Sequence, residues 1–256
     1  MTLPTTTPEE TADTERAERA RRILDAAAEL LVAWGYRRVT IDEVARRAGV
    51  GKGTVYLHWK TKEALFLVVL LRAKSSSFAT YVRRMRADPR EVLPSRMLRS
   101  MYLELGADPV ARAMYLGDSE TLGRLGEVSA RELRSFSEEG ARGLEEHFRL
   151  LRDAGALRTD LPLRTQTYSY LATALGFVTM HTLDTPLAPE PGAGDPSPLD
   201  PPAAPGVLAG ADALAHTVRA ALETGSGAES TAPAVIAVYE RLEALCQEEI
   251  TRQLRR

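Results

Sequence analysis

The residues best suited to bind a charged ligand lie on a short predicted helix, about Lys52–Trp59. Val55 and Trp59 fall on one side of this helix as core anchors. The remaining side chains lie on its other faces: Lys52, Thr54, Leu57 and His58. Cationic and hydroxyl side chains bind phosphate oxygens, and a helix with a small polar N-terminal half fits the major groove of DNA, which is about 12 Å wide. The pattern therefore indicates contact with double-stranded DNA.

The sequence offers few residues for catalysis or for metal binding. Cys246, the only cysteine, lies in an apolar helical stripe and is predicted to be a core residue. His147 and His216 lack metal ligands at helical spacing, although Glu145 and Glu146 adjoin His147. The chain has no evident Ser, His and Asp arrangement and no glycine-rich phosphate loop after a strand. We expect no enzyme activity, no catalytic residue, no metal and no cofactor.

Two longer elements must position the short helix. The first is a helix over about Glu15–Trp34, where the apolar residues form a single stripe. Gly35 is predicted to end it, because glycine adopts a positive φ readily. The second helix begins with a capping box, in which the side chains of Thr40 and Glu43 satisfy each other's free backbone N–H groups.

The second helix is predicted to end at Gly49 after about two turns. The connection at residues 49–51 is so short that the third helix must cross the second at a steep angle. Residues 40–59 are therefore predicted to form a helix-turn-helix. Thr61 is expected to cap a fourth helix, and Lys62 in its first turn is unfavourable for the helix dipole, which suggests that Lys62 faces an anion.

The stretch Thr40–Leu65, TIDEVARRAGVGKGTVYLHWKTKEAL, resembles the signature of the tetracycline-repressor (TetR) family. The match runs over about residues 23–65, and these residues fall at the expected places: Ala45, Ala48, Gly49, Val50, Gly53, Tyr56, Lys62 and Leu65. The resemblance implies a homodimer, with three DNA-binding helices before a larger helical domain that binds a small-molecule effector. Two residues depart from the family pattern: Gly51 stands where a serine-like cap is common, and Trp59 replaces the usual phenylalanine.

The resemblance also implies a set of contacts with operator DNA: Thr40, Lys52, Gly53, Thr54, Tyr56, Leu57, His58 and Lys62. Those that mostly bind phosphates would be Tyr56, His58 and Lys62. Those nearest the bases would be Lys52, Gly53 and Leu57. Other roles stay open for three residues, since Thr40 is also a helix cap, Tyr56 could pack on the core, and Leu57 could be merely exposed.

Residues 15–183 are helical in pattern almost throughout, without sustained period-2 alternation, so the fold is predicted to be all-α. We expect residues 1–14 to be a disordered arm, residues 15–60 the DNA-binding domain and residues 61–256 the effector-binding and dimerisation domain. Residues 184–206 contain eight of the fifteen prolines and are expected to form a mobile loop. The helices of the larger domain are predicted at about 62–85, 89–105, 109–116, 119–153, 163–183 and 234–254.

The helix at 163–183 is apolar on two faces, which suggests that one faces its own core and the other a partner. In the family, this helix and the last one form the dimer interface, with these candidates here: Leu171, Leu175, Thr179, Tyr239, Leu242 and Cys246. The family alone implies an effector pocket, and its candidates could equally be plain core: Met101, Tyr102, Met114, Tyr115, Phe136, Tyr168, Phe177 and His181. An arginine cluster at residues 83–90 is expected to be solvated surface.

The net charge of −2 conceals a basic block, since residues 15–65 carry 11 basic and 7 acidic side chains. The longest apolar run, Ala64–Leu71, is far shorter than the roughly 20 residues that span a membrane, and the N-terminus does not resemble a signal peptide. We therefore expect a cytoplasmic protein without a membrane partner. The leading interpretation is a ligand-responsive regulator, most often a repressor in this family. An enzyme and a protein-binding helical scaffold are the alternatives.

Overall fold

The computed structural model describes residues 8–116, 118, 121–182, 200–225 and 227–254. Within these ranges the chain forms α-helices and two 3-10 turns, and it contains no β-strand. The helices are α1 (Pro8–Arg38), α2 (Ile41–Ala48), α3 (Lys52–His58), α4 (Lys62–Ala87), α5 (Pro94–Ala107), α6 (Pro109–Leu116), α7 (Arg124–Glu132), α8 (Arg134–Asp153), α9 (Leu163–Thr182), α10 (Pro205–Leu222) and α11 (Ala232–Leu254). The all-α prediction is confirmed.

Helix α1 is interrupted near its end, at Gly35. The backbone there has φ 72° and ψ 154°, a conformation that favours glycine, so the predicted break is present. The start of α1 differs from the prediction, because the helix begins at Pro8 and residues 8–14 are helical rather than disordered. A proline is tolerated in a first turn, where the backbone N–H has no partner within the helix. Residues 1–7 of the expected arm lie outside the described residues.

The caps of α2 follow the predicted chemistry. Thr40 Oγ1 accepts a hydrogen bond from the backbone N–H of Glu43 at 3.3 Å, and the Glu43 carboxylate accepts one from the N–H of Thr40 at 3.0 Å. Gly49 ends the helix in the left-handed region, at φ 67°. Helix α3 follows Gly51 without a side-chain cap, as expected from the glycine at that position.

Helix α4 joins the N-terminal unit, which we define as α1–α3 with the first turns of α4, to the remaining helices, which we call the body. Thr61 caps α4, because its Oγ1 accepts from the N–H of Ala64 at 3.0 Å. The side chains of residues 65–71 are all buried. By length and composition α4 could cross a membrane, and 56% of its most apolar window is buried inside the protein. Such burial is typical of a core helix.

Two helices predicted for the body are divided in the structure. Residues 89–105 form a 3-10 turn at Pro89–Val92 and then α5, because Pro94 lacks the N–H needed to continue a helix. The segment predicted as 119–153 is divided into α7 and α8 at Leu133, a break that nothing in the local sequence signals. Gly155 follows α8 with φ 73°, a backbone conformation that favours glycine.

Helices α6 and α7 connect the two hydrophobic cores. Val110 and Ala113 of α6 lie in the core of the N-terminal unit, together with Leu125 and Val128 of α7. Ala111, one residue from Val110, belongs instead to the core of the body. A backbone hydrogen bond from the N–H of Tyr36 to the carbonyl of Thr121, at 2.8 Å, adds a further link. The N-terminal unit therefore packs against the body through two helices besides α4.

A buried ion cluster corrects two expectations. The guanidinium of Arg84, 3% exposed, donates to Glu91 Oε2 and to Asp200 Oδ1, each at 2.9 Å. Arg99 Nη1 donates to Asp200 Oδ2 at 2.6 Å. Arg84 is thus not solvated surface, since a buried guanidinium requires carboxylate partners. Residues 200–206 were expected to belong to a mobile loop, but residues 200–204 are anchored through Asp200 and residues 205 and 206 form the start of α10. Residues 183–199 lie outside the described residues.

Candidate DNA-binding face, effector cavity and dimer face

Helix α3 is fixed to the core on one side and open on the other. Val55 and Trp59 are 0% and 1% exposed, and they anchor the helix as predicted. The side chain of Leu57 is 73% exposed and that of Tyr56 is 40% exposed, so neither is buried in the core. Gly53 has no atom within 4 Å of the place where a Cβ would stand, which leaves its backbone open to a partner. These residues form an exposed face that a DNA groove can accept.

Two predicted contacts of this face already have partners inside the chain. Lys52 Nζ donates to Asp42 Oδ2 at 2.8 Å, in an ion pair whose side chains are 51% and 65% exposed. Such an exposed pair is weak and can exchange for a phosphate. Thr40 Oγ1 is held in the capping box and also donates to Glu43 Oε2 at 2.8 Å. Thr54 is half-buried beside them.

Lys62 has a structural role that the sequence did not indicate. Its ammonium donates to the backbone carbonyl of Tyr36 and lies 4.1 Å from the centroid of the Tyr36 ring. Burial lowers the pKa of Lys62 from its ordinary value, and Glu63 and Glu43 oppose that shift. The carbonyl at the end of α1 carries the partial negative charge that the first-turn lysine was expected to face. Lys62 therefore ties α4 to α1, whether or not it also contacts DNA.

Two basic residues close to His58 were not among the DNA contacts expected from the sequence. The pKa of His58 is lowered by burial and by the positive charges of Arg16 and Arg19, which places these α1 side chains near α3. Arg16 is exposed and Arg19 is partly exposed. The long α1 thus extends the basic surface of α3 on one side. The only sequence signal was the basic residue content of the first predicted helix.

A cavity of about 360 Å³ lies between α4, α5, α6, α7 and α8. Four of the candidate effector residues line it: Met101, Met114, Tyr115 and Phe136. An adjoining cavity, also about 360 Å³, shares Tyr81 and Met101 with the first and extends toward Tyr170 and Tyr239. Burial raises the pKa of Tyr115 to about 12, so its hydroxyl is a neutral donor. This size and apolar lining are typical of small-molecule sites.

Three of the other four effector candidates do not line this cavity. Tyr168 is 73% exposed and lies on the outer face of α9, so its assignment to a pocket is wrong. Tyr170, two residues on and about 200° around the helix, is the tyrosine that faces inward. Tyr102 is buried against Gly210, and Phe177 packs on the body core away from the cavities just described. The side chain of His181 lies outside the described residues.

Helix α9 has the two faces that its pattern predicts. Tyr170, Ala174 and Val178 are buried in the body core. Leu175 is 45% exposed on the opposite side, and Leu171 is 47% exposed although it also borders the second cavity. These two, with the exposed Tyr168, Thr179 and Met180, define the outer face of α9. An apolar helix face of this kind is typical of a protein interface.

The part of the dimer prediction that concerned the last helix is wrong. Tyr239, Leu242 and Cys246 are 3%, 3% and 0% exposed, because α11 packs between α4 and α8 of its own chain. The close approach of α8 requires Gly143, where a Cβ would lie 2.9 Å from Leu242 Cδ1. Periodicity showed an apolar stripe on α11 but could not show which surface covers it.

His147 forms part of the body core and not of a metal site. Its Nε2 donates to the carbonyl of Val92 at 2.7 Å, so Nδ1 is left to accept from the hydroxyl of Tyr239 at 3.0 Å. Burial lowers the pKa of His147 to about 4. Across the part of the chain that the structure describes, no three His, Cys, Asp or Glu residues are grouped as metal ligands.

Comparison with known proteins identifies the N-terminal unit. Residues 23–69 match the profile described as bacterial regulatory proteins, tetR family. An uncharacterised HTH-type transcriptional regulator of Mycobacterium bovis is 34% identical over 103 residues, which cover 40% of this chain and 52% of that protein. The chain therefore spans about half the length of this curated relative.

Two solved structures share the fold over most of the chain. A SmeT–triclosan complex is similar with a TM-score of 0.56 and 22% identity, over 82% of this chain and 93% of that one. The transcriptional regulator FadR of Bacillus subtilis, in complex with stearoyl-CoA, is similar with a TM-score of 0.52 and 17% identity, over 77% of this chain and 96% of that one. At these identities the likeness concerns the fold alone. The profile match therefore concerns residues 23–69, which are similar to the N-terminal part of bacterial regulatory proteins of the tetR family.

Proposed function

We propose that this protein is a cytoplasmic, ligand-responsive transcriptional regulator that binds operator DNA as a homodimer and is released by a small molecule. The observation that carries the proposal is α3, which is anchored by Val55 and Trp59 and presents Gly53, Tyr56 and Leu57 to solvent. A short helix held in this way can enter the major groove. An enzymatic function is not proposed, because residues 23–69 match the profile of a family of bacterial regulatory proteins.

Dimerisation is proposed through the outer face of α9. A dimeric helix-turn-helix protein presents two recognition helices, which can bind two operator half-sites about one DNA turn apart. Leu171 and Leu175 are the exposed apolar residues best placed to pack against a second copy. The adjacent α10 exposes small and polar residues such as Thr217 and Ala220, which allow close approach of a partner helix.

Coupling between ligand and DNA is proposed to run through α6 and α7 as well as α4. Met114 and Tyr115 of α6 line the cavity, while Val110 and Ala113 of the same helix pack in the core of the N-terminal unit. A ligand that displaces α6 therefore shifts the support of α1 and α4. The coupling free energy in such systems is typically about 1–3 kcal/mol.

DNA binding is tested by a salt titration with the DNA that flanks the gene of this protein. Log K is expected to fall with log salt concentration by about 0.9 for each phosphate contact. Arg16→Gln should reduce the slope by about 1 per subunit, while the matched control Arg142→Gln, on the exposed side of α8, should leave it unchanged. A slope near zero for the wild type would favour the protein-binding scaffold instead.

Dimerisation is tested by analytical ultracentrifugation of Leu175→Glu. A charge at the centre of an apolar interface should convert a dimer to a monomer. Leu57→Glu is the matched control, since Leu57 is more exposed and lies on the DNA-binding face. A dimer that persists in Leu175→Glu and in Leu171→Glu would show that another surface forms the interface.

A further inference from the structure

Lys74 places a positive charge in the middle of the body. It lies on α4 and lines both the first cavity and the adjoining one. The side chain is partly buried, and its ammonium lies 5.2 Å from the centroid of the Phe78 ring. No salt bridge or hydrogen bond holds its ammonium within the described residues, in contrast to the guanidinium groups of Arg84 and Arg99.

The charge of Lys74 is uncompensated by its surroundings. The residues that line the two cavities include no carboxylate, and Lys74 is the only lysine or arginine among them. Burial lowers the pKa of Lys74, and the only charge that opposes the shift comes from Cys246. Burial also raises the pKa of Cys246 to about 12, so this thiol is not an anion at neutral pH. An ammonium without a counter-charge in such surroundings is costly.

The hydroxyl groups near Lys74 do not supply the missing partner. Ser77 Oγ donates to the carbonyl of Ala73 at 3.2 Å, and Ser137 Oγ donates to that of Leu133 at 3.1 Å. Both serines are thus engaged with the backbone of their own helices. The other lining residues are mainly aliphatic or aromatic. The cavity combines a long apolar wall with one cation.

The opposite end of the cavity system has the reverse character. A third cavity shares Ser77 and Tyr81 with the first and reaches Glu104 and Asp200. Glu104 Oε1 is buried without a hydrogen-bond partner, and burial raises the pKa of Glu104 to about 7. Arg83 also lines this third cavity, together with the three carboxyl groups of Glu104, Asp108 and Asp200, so carboxyl groups outnumber cations in its lining. The first two cavities, which Lys74 lines without any carboxylate, are therefore the more favourable place for an anion.

We propose that the cavity binds an amphipathic organic anion, whose apolar body fills the space between α4, α5, α6 and α8 and whose single carboxylate pairs with Lys74 Nζ. The inference rests on the proposed effector role of this cavity and names the chemical class of the effector. One cation in a largely apolar site matches one negative charge, and a dianion would remain half-compensated. Lys74 lies three residues after Leu71 on α4. The ion pair between Lys74 and the ligand carboxylate would therefore form next to the part of α4 that is buried in the core of the N-terminal unit.

The test measures binding of straight-chain carboxylates by calorimetry, from octanoate to hexadecanoate, with the alcohols of equal length as neutral controls. The wild type should bind at least one carboxylate about 10-fold or more tightly than its alcohol. Lys74→Met should remove that preference while retaining affinity for the alcohol, and Lys74→Arg should keep it. The proposal is overturned if Lys74→Met keeps the preference, if acid and alcohol bind equally, or if the wild type binds no member of the series.

Two further measurements separate this inference from the proposed function. Lys74→Met without ligand should melt at the same temperature as the wild type or higher, since an unpaired charge is replaced by an apolar chain of similar length. A lower melting temperature would show that Lys74 is compensated in the free protein and would contradict the argument. DNA affinity without ligand should be the same in both proteins. If a carboxylate binds but the affinity for DNA does not change, the proposed site at Lys74 stands and the proposed release of DNA by a ligand is overturned.

Discussion

The N-terminal unit and the body differ in what they bury. Among the residues whose side chains the structure describes, every buried Ser, Thr, Gln or charged residue follows Leu71, and the core of the N-terminal unit is apolar apart from the polar atoms of Tyr36 and Trp59. Polar groups of that unit lie at helix ends, as in the Thr40 cap and the Lys62 contact with Tyr36. The body buries Arg84, Glu91 and His147 in addition to its cavities.

This difference matches the two roles that we propose. A unit that reads DNA must present α3 in one geometry, and a largely apolar core together with the capped starts of α2 and α4 holds it there. A body that responds to a ligand needs space and polar groups whose partners can change. Buried ionic groups are sensitive to the loss of one partner, so the body should respond to substitution and pH more strongly than the N-terminal unit.

The largest expected effect is in the ion cluster of the body. Arg84→Met leaves the buried carboxylates of Glu91 and Asp200 with fewer partners, and we expect it to lower the free energy of unfolding by about 3–5 kcal/mol. Urea unfolding measures this loss. Arg86→Met is the matched control, because Arg86 is 64% exposed and pairs with Glu240 on the surface. Similar stabilities of the two variants would show that the cluster is not the tight network that the structure presents.

The next effect concerns pH and His147. The pKa of this residue is about 4 in the folded protein and about 6.5 in an unfolded chain, so only the unfolded chain binds the proton in between. This contribution to stability is present above pH 6.5 and is lost as the pH falls toward 4, by about 3 kcal/mol in total. Unfolding measured at a series of pH values tests it.

The control for this pH effect is His147→Gln. This variant should be less stable at pH 7, because the hydrogen bonds to Val92 and Tyr239 are altered. It should also lose the decrease in stability between pH 6.5 and 4 that belongs to His147. If the stabilities of the variant and the wild type change in parallel with pH, then His147 has an ordinary pKa in the folded protein and is not kept neutral by burial.

The smallest effect is expected in the N-terminal unit. Thr40→Ala removes the acceptor for the N–H of Glu43 and should lower stability by about 1 kcal/mol. Thr40→Ser keeps the hydroxyl and should be nearly neutral. Thermal unfolding with the melting temperature as readout distinguishes them. Equal melting temperatures of the alanine and serine variants would mean that the capping box contributes nothing.

The sequence predicted short-range features of the fold well and long-range ones less well. The capping box at Thr40, the breaks at Gly35 and Gly49 and the cap at Thr61 depend on neighbours within a few residues, and all are present. By contrast, the apolar stripe of α11 was assigned to a dimer although α4 and α8 of the same chain cover it. A periodic pattern shows that a face is covered and not which surface covers it.

The candidate sites follow the same rule. Arg84 stands in an arginine-rich stretch and was expected at the surface, because its partner Asp200 lies 116 residues away in the chain. Lys74 carries no signal in the sequence, since a lysine on a helix is ordinarily solvated. Four of eight effector candidates line the first cavity, because aromatic and methionine residues are enriched in cores and pockets alike. The roles of the DNA-contact residues stay predictions.

The most direct test of the account is the affinity of Leu57→Glu for the DNA that flanks the gene, measured by fluorescence anisotropy at fixed salt. Leu57 is 73% exposed, so the substitution should leave the melting temperature and the oligomeric state unchanged. A carboxylate on the groove-facing side of α3 should lower the affinity at least 100-fold through repulsion by phosphates and loss of base contact. An affinity equal to that of the wild type would show that α3 does not enter the groove and would contradict the central claim.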